Sequence, residues 1–243
     1  MAAPEPQATS AVAYTPVLTD LMRLIRAPFA PRGVFEEQRD KPTFWLPWVV
    51  LSVLFAVVSF VALPITLQMA RLGAEAKGQP FPASAESITR ILAVVGTPIG
   101  LLIGVMIGAV VLYLVLMVTG AQARFKGLMT VSLFVAPVTL IQTLVTTVAL
   151  KMRGVENLQT LADAKLTFGL DNLVSPEFAE AHRAVAAVLR GIGPFEIWAL
   201  VVTAIALAAL EKVPGRKAWT AAIAAFVVGL VIRAGAALIF KTA

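Results

Sequence analysis

GTPIGLLIGVMIG, residues 96–108, places a glycine on every fourth position: Gly96, Gly100, Gly104 and Gly108. In a water-exposed helix each would cost about 1 kcal/mol relative to alanine. A four-residue step turns a helix by about 400°, so over three steps the stripe drifts by about 120° into a slanting groove. Along a membrane helix such a groove admits a second backbone to close contact, and van der Waals packing there replaces the hydrophobic drive that lipid cannot supply. The filling helix could be one of the chain's own, or one from a second molecule. No acidic residue or coordinating cluster lies beside the groove, which argues against an ion path.

The solvent implied by this stretch agrees with the whole chain. Of its 243 residues 59% are hydrophobic and only 14% charged, with a mean hydropathy of +0.87. These values exclude an ordinary water-soluble domain. A span needs about 20 mostly apolar residues, and five windows of that kind occur. Those between Lys41 and Arg71, Arg90 and Arg124, and Lys126 and Lys151 carry no charge. The window from Arg190 to Glu211 holds Glu196, and that from Lys217 to Lys241 holds Arg233. The expected fold is therefore all-α: a polytopic bundle of five transmembrane helices over 44–69, 92–118, 127–150, 193–210 and 218–240, with amphipathic interfacial helices. Residues 1–42 form an N-terminal segment ahead of the membrane domain, 43–243. They hold no early apolar run, so a cleaved signal peptide is not expected.

The absence of cysteine removes disulfides, thiolate metal sites and cysteine nucleophiles. The net charge of +6 punctuates membrane segments, which points to anionic headgroups rather than nucleic acid as the partner. With the N-terminus inside, ten Lys and Arg fall inside and nine outside. The inside turns at Arg124 and Lys126 and at Lys212, Arg216 and Lys217 are short and densely basic. The 151–192 segment dilutes its bases over 42 residues among acids. The expected topology has the N-terminus cytoplasmic and the C-terminus outside.

In 14–30, YTPVLTDLMRLIRAPFA, Leu18, Leu21, Met22 and Ile25 recur at helical spacing while Arg23 and Arg26 point elsewhere. That pattern suits a helix in the headgroup layer, or one packed onto the bundle's own inner surface. Ser175-Pro176 is a helix start, with Phe178, Val185, Val188, Leu189 and Ile192 forming a stripe that leads into the fourth span. Kinks are expected at Pro64 and Pro137, Pro98 could sit in a first turn, and Thr66, Thr97 and Thr139 could serve the carbonyls that the prolines free.

Glu196 and Arg233 are the only charges inside the spans, and centred charges cost about 2.5–3.5 kcal/mol each on insertion scales. Midway between them lies the Pro214-Gly215 turn, so an antiparallel hairpin brings both to one depth. They could form a direct or water-bridged pair, snorkel separately, or belong to a proton relay, though no further ionisable residue continues such a chain. Enzyme signatures are missing. The single histidine, His182, sits beside Glu180 and Arg183; Ser52, Ser59 and Ser132 have no activating base; no phosphate loop ends in Lys-Ser or Lys-Thr. No catalytic residue, metal site or cofactor is expected.

Three stretches resemble the Yip-domain (Ypt-interacting protein) family of five-span integral membrane proteins. PRGVFEEQRDKPTFWLPWVVL, 31–51, is similar to the family's amphipathic lead-in and aromatic-rich first span. ARFKGLMTVSLFVAPVTLIQTLV, 123–145, resembles its third span with a mid-span proline, here Pro137. GIGPFEIWALVVTAIAL, 191–207, carries Phe195 and Trp198 three apart. Many members have an aspartate where this chain has Gly193, and the family's later small glycine stands as Ala206. The long acidic, tyrosine-bearing N-terminus of the eukaryotic trafficking members is missing, which argues against Rab-type GTPase binding and for a bacterial inner-membrane member. For such members the resemblance implies an architecture without a settled molecular activity, and the leading expectation is a non-catalytic protein acting through helix-helix contacts with lipids and with other membrane proteins or a second copy, in membrane organisation or trafficking. The competing expectation is a small transporter or channel subunit whose polar path runs by Gln142, Glu196 and Arg233.

Overall fold

The computed structural model describes residues 16–161, 163 and 166–239. Tyr14, at the head of the N-terminal amphipathic stretch, Phe240, the last residue of the fifth expected span, and Lys241, counted on the outer side, lie outside the described residues. The described chain is all-α, without a strand among those residues. Its helices are α1 (Pro16–Arg26), α2 (Pro31–Glu37), α3 (Trp45–Glu75), α4 (Ala83–Val118), α5 (Phe125–Arg153), α6 (Pro176–Ala181), α7 (Arg183–Arg190), α8 (Pro194–Leu210) and α9 (Gly215–Ile239).

Four helices, α3, α4, α5 and α9, are each long and apolar enough to cross a membrane. α7 and α8 pass the same test of length and apolarity only when taken together, and they are bent by 60° where they meet, so the pair is a fifth candidate as one broken span. α8 alone has 17 residues, which gives about 25 Å at 1.5 Å per residue, less than the roughly 30 Å hydrocarbon core. The stripe from Phe178 to Ile192 therefore does not run straight into α8. At the break Gly191 lies against Leu230, and Gly193 against the Phe168 carbonyl, where a side chain would collide. Pro194 then opens α8 at its first turn, where its missing N–H costs nothing. Gly169 passes close against the Arg190 backbone, and Leu170 N–H donates to Ile192 O at 3.1 Å. The expected start at Ser175 is present: its Oγ accepts from Phe178 N–H at 3.2 Å.

Pro98 lies well inside α4, not in a first turn, because that helix begins at Ala83. Pro64 and Pro137 also sit inside continuous helices. The threonines do not serve the carbonyls those prolines release. Thr66 donates to Ala62 O at 3.3 Å and Thr97 to Ala93 O at 2.7 Å, each bonding its own preceding turn.

The α4–α5 and α8–α9 turns meet at one end of the bundle, here the turn end. Arg124 N–H donates to Glu211 Oε2 at 2.7 Å, and Lys217 Nζ to Gly120 O at 3.2 Å. The N-terminal helices reach the same end: the Arg39 guanidinium donates to Ala209 O at 2.7 Å and Arg124 to Arg39 O at 3.2 Å. At the opposite end, Gln68 donates to Leu158 O at 3.0 Å and Arg71 to Glu86 at 3.0 Å. There the Asp163 carboxyl accepts from the Thr160 hydroxyl and from the Thr160 and Gln159 N–H groups. Those bonds hold it below the ordinary carboxylate range.

α4 packs against α3, α5 and α9, while α8 packs against α5, α9 and α2. The helices α4, α5, α8 and α9 thus form a ring. Toward the turn end its interior is filled by Leu112, Leu116, Leu128, Leu207, Leu210 and Ala218, all buried in one apolar core.

Candidate functional site: a cavity inside the helix ring

Away from the turn end the ring does not close on itself. All four helices and the break at Gly191 line a cavity of about 730 Å³ that is open to the outside, with Gly100, Gly104 and Arg233 exposed on its wall; its volume is inside the range of about 300–1,000 Å³ usual for small-molecule sites. Much of the wall is apolar, from Leu101, Val105, Val135, Leu200, Phe226 and Leu230. Its two charged groups and Gln142 gather at one level, while Thr97, Ser132 and Thr203 line it at other heights. Measured from the turn end at 1.5 Å per residue, Glu196 on α8, Gln142 on α5 and Arg233 on α9 stand about 21–27 Å along their helices. That is near the far side of a core about 30 Å thick.

The sequence brought Glu196 and Arg233 to one depth, and both line this cavity. They form no direct ion pair within 4.0 Å: neither is among the salt bridges of the described residues. Glu196 Oε1 accepts instead from Gln142 Nε2 at 3.1 Å. Glu196 is the third residue of α8, and its Oε2 folds back over Gly193, where a Cβ would lie 2.8 Å away. That oxygen is buried and has no hydrogen-bond partner. Arg233 passes its stem by Gly191, on the other flank of the α7–α8 break.

The glycine stripe also lies differently from a seam packed within the chain. A Cβ on Gly100 or Gly104 would meet nothing within 4 Å, and one on Gly96 only its own helix's Leu92. Gly108 alone approaches another helix, at Ser132 of α5. Because α4 touches α5 on one side and α9 on the other, the stripe faces the space between them. Gly100, Gly104 and Gly108 line the cavity.

The remaining singled-out residues sit outside it or on its rim. Trp198 Nε1 donates to Pro28 O at 2.9 Å and its ring lies 5.4 Å from Phe29, tying the α1–α2 connection to α8. Phe195 stacks toward Trp198 at 6.5 Å and meets Phe168 edge-on at 5.3 Å. Pro137 is buried within α5. His182 is exposed and stacks on Phe178 at 4.5 Å. Among the described residues no three His, Asp or Glu gather as metal ligands.

A scan against family models matches the Yip1 domain over residues 25–236. The chain belongs to the Yip1 domain family. It is also similar to the membrane protein YknW of Bacillus subtilis strain 168, 23% identical over 201 residues that cover 81% of this chain and 82% of that protein. No solved structure matches. The Yip1 match takes in every helix from α2 to α8 and most of α9, so both the cavity and the Trp198 anchor fall inside the family's domain.

Polar contacts absent from the sequence reading brace the turn end. Asp20 accepts from Arg23 and from the Thr43 hydroxyl at 3.2 Å each, and Gln38 Oε1 accepts from Thr43 N–H at 3.0 Å. Glu211 caps α5 through Arg124 N–H. A charge lying just past an apolar window was the available signal, but its partner could not be read from the chain alone.

Proposed function

We propose that this Yip1 member is a non-catalytic protein of the bacterial inner membrane that works by lateral contacts, taking lipids and neighbouring membrane proteins onto surfaces its own helices leave open. The carrying observation is that Gly100 and Gly104 face space no helix of the chain fills. A second support is α1, whose Leu18, Met22 and Ile25 are exposed beside Phe29 and Trp45, an apolar face at the level where α3 begins. The dense basic residues Arg124, Lys126, Lys212, Arg216 and Lys217 in the short loops of the turn end support a cytoplasmic position for that end.

The transporter alternative draws on the cavity that reaches Gln142, Glu196 and Arg233. A crossing path would have to pass the apolar plug of Leu112, Leu116, Leu207 and Ala218 toward the turn end, and that favours the contact function. The test is detergent-free extraction into native nanodiscs followed by mass spectrometry of all components. Retained lipid or membrane protein in fixed ratio to the chain is the expected result. A chain recovered with no retained component, and thermally stabilised by a water-soluble solute, would overturn it.

A further inference from the structure

The cavity carries its charged groups at one end and a mostly apolar wall toward the turn end, the division of an amphiphile. Glu196 Oε2 is buried and partnerless there, and Arg233, lining the same space, makes no salt bridge among the described residues. One carboxylate and one guanidinium in a single chamber sum to no net charge, so a purely anionic head would set its charge beside Glu196. The partnerless oxygen asks for an N–H or O–H donor. The guanidinium asks for an oxyanion, phosphate above all.

Between that level and the turn end the cavity offers few polar groups: the Thr203 hydroxyl already donates to the carbonyl of Ala199 on its own helix, and the Ser132 hydroxyl lies beside Gly108. The wall there is mostly apolar toward Leu112 and Ala222, while Gly100 and Gly104, level with the polar groups, leave open space beside α4. A peptide would bring unsatisfied backbone groups into such a cavity, whereas an acyl chain brings none.

We infer that the ring cavity binds a phospholipid with a primary-ammonium head: phosphate on Arg233, ammonium on Glu196, and one acyl chain along the Gly100–Gly104–Gly108 groove. The inference rests on the lateral-contact function and names the lipid class. A choline head, having no N–H, leaves Glu196 Oε2 unpaired, and a glycerol head carries no cation to balance Glu196.

The test uses the purified full chain in detergent with phosphatidylethanolamine, phosphatidylcholine and phosphatidylglycerol of matched acyl chains, and water-soluble O-phosphoethanolamine as the head alone, read by native mass spectrometry. Phosphatidylethanolamine should be retained over the other lipids by about tenfold, the scale of one well-placed polar contact. Glu196→Gln should erase the preference over phosphatidylglycerol, and Arg233→Gln should lower retention of all three. Gly104→Leu, which enters open space, should expel the chain while unfolding at the thermal midpoint of the lipid-free wild type. Equal retention of the three lipids, an undiminished preference in Glu196→Gln, or competition by O-phosphoethanolamine as strong as by the lipid would overturn the assignment. So would a second copy of the chain seated in the groove. Should lipid and protein still co-extract in fixed ratio without the headgroup preference, the headgroup assignment fails alone; loss of both removes the lateral-contact function as well.

Discussion

Glu211 is the residue on which the turn end converges. Its side chain is 3% exposed, and its two oxygens take the Arg124 N–H at 2.7 Å and the Arg124 guanidinium at 3.3 Å. Arg124 is the N-cap of α5, so the carboxylate lies at the positive end of that helix. Gly127, one turn in, makes room for it, since any Cβ there would collide with the carboxylate. Replacing Glu211 with alanine leaves the cap N–H without its acceptor and should lower stability by about 2 kcal/mol, as for other charge-assisted hydrogen bonds. Gly127→Ala should destabilise through the collision. Thermal unfolding of both variants in one detergent checks this; unchanged midpoints would mean the carboxylate carries no structural burden. In the sequence Glu211 only bounded a window, and its role needed the α4–α5 turn folded beside the α8–α9 turn. Glu196 and Arg233 were legible as functional because intramembrane charge is costly. The contact that Glu196 makes with Gln142 was not legible, because it depends on α5 packing beside α8.

At the scale of the element, hydrophobic windows gave α3, α4, α5 and α9 within a turn or so at the turn end, while the opposite ends of α3 and α4 run further than expected, to Glu75 and from Ala83. Apolar length marks what lipid covers, not where a helix stops, and Arg71, Glu86 and Arg90 continue these helices past the core with their own ion pairs. The short helix α1 was legible by period but ambiguous by face. Leu24 is 2% exposed against the bundle, whereas Ile25 next to it is 60% exposed. The buried face also holds Asp20, satisfied by Arg23 and Thr43. Two faces of one helix therefore have different neighbours, and photo-crosslinking in membranes separates them. A diazirine side chain at Ile25 should label lipid, and one at Leu24 should label the chain itself. The same adducts from both positions would contradict the placement of α1 at the lipid surface.

At the scale of the molecule, the four-helix ring with one filled half and one open half is what the sequence concealed. Each of α4, α5, α8 and α9 was visible as a span, yet hydropathy says nothing about which spans are neighbours. The glycine stripe, with close packing as the general expectation for small residues in membrane helices, pointed to a filled seam. In the fold, α9 and α5 flank α4 on either side of the stripe and leave it facing the interior space. The central claim is that this space is open to something other than the chain itself, and the double variant Gly100→Leu/Gly104→Leu tests it most directly. With lipid stripped from both, the variant should unfold at the wild-type temperature, within about 3 °C, because the new side chains meet no helix and leucine is the better helix former, and it should no longer bind the lipid that the wild type retains. A variant that fails to accumulate, or that unfolds far below the wild type, would show that the glycines are packed by the chain's own helices and would contradict the account.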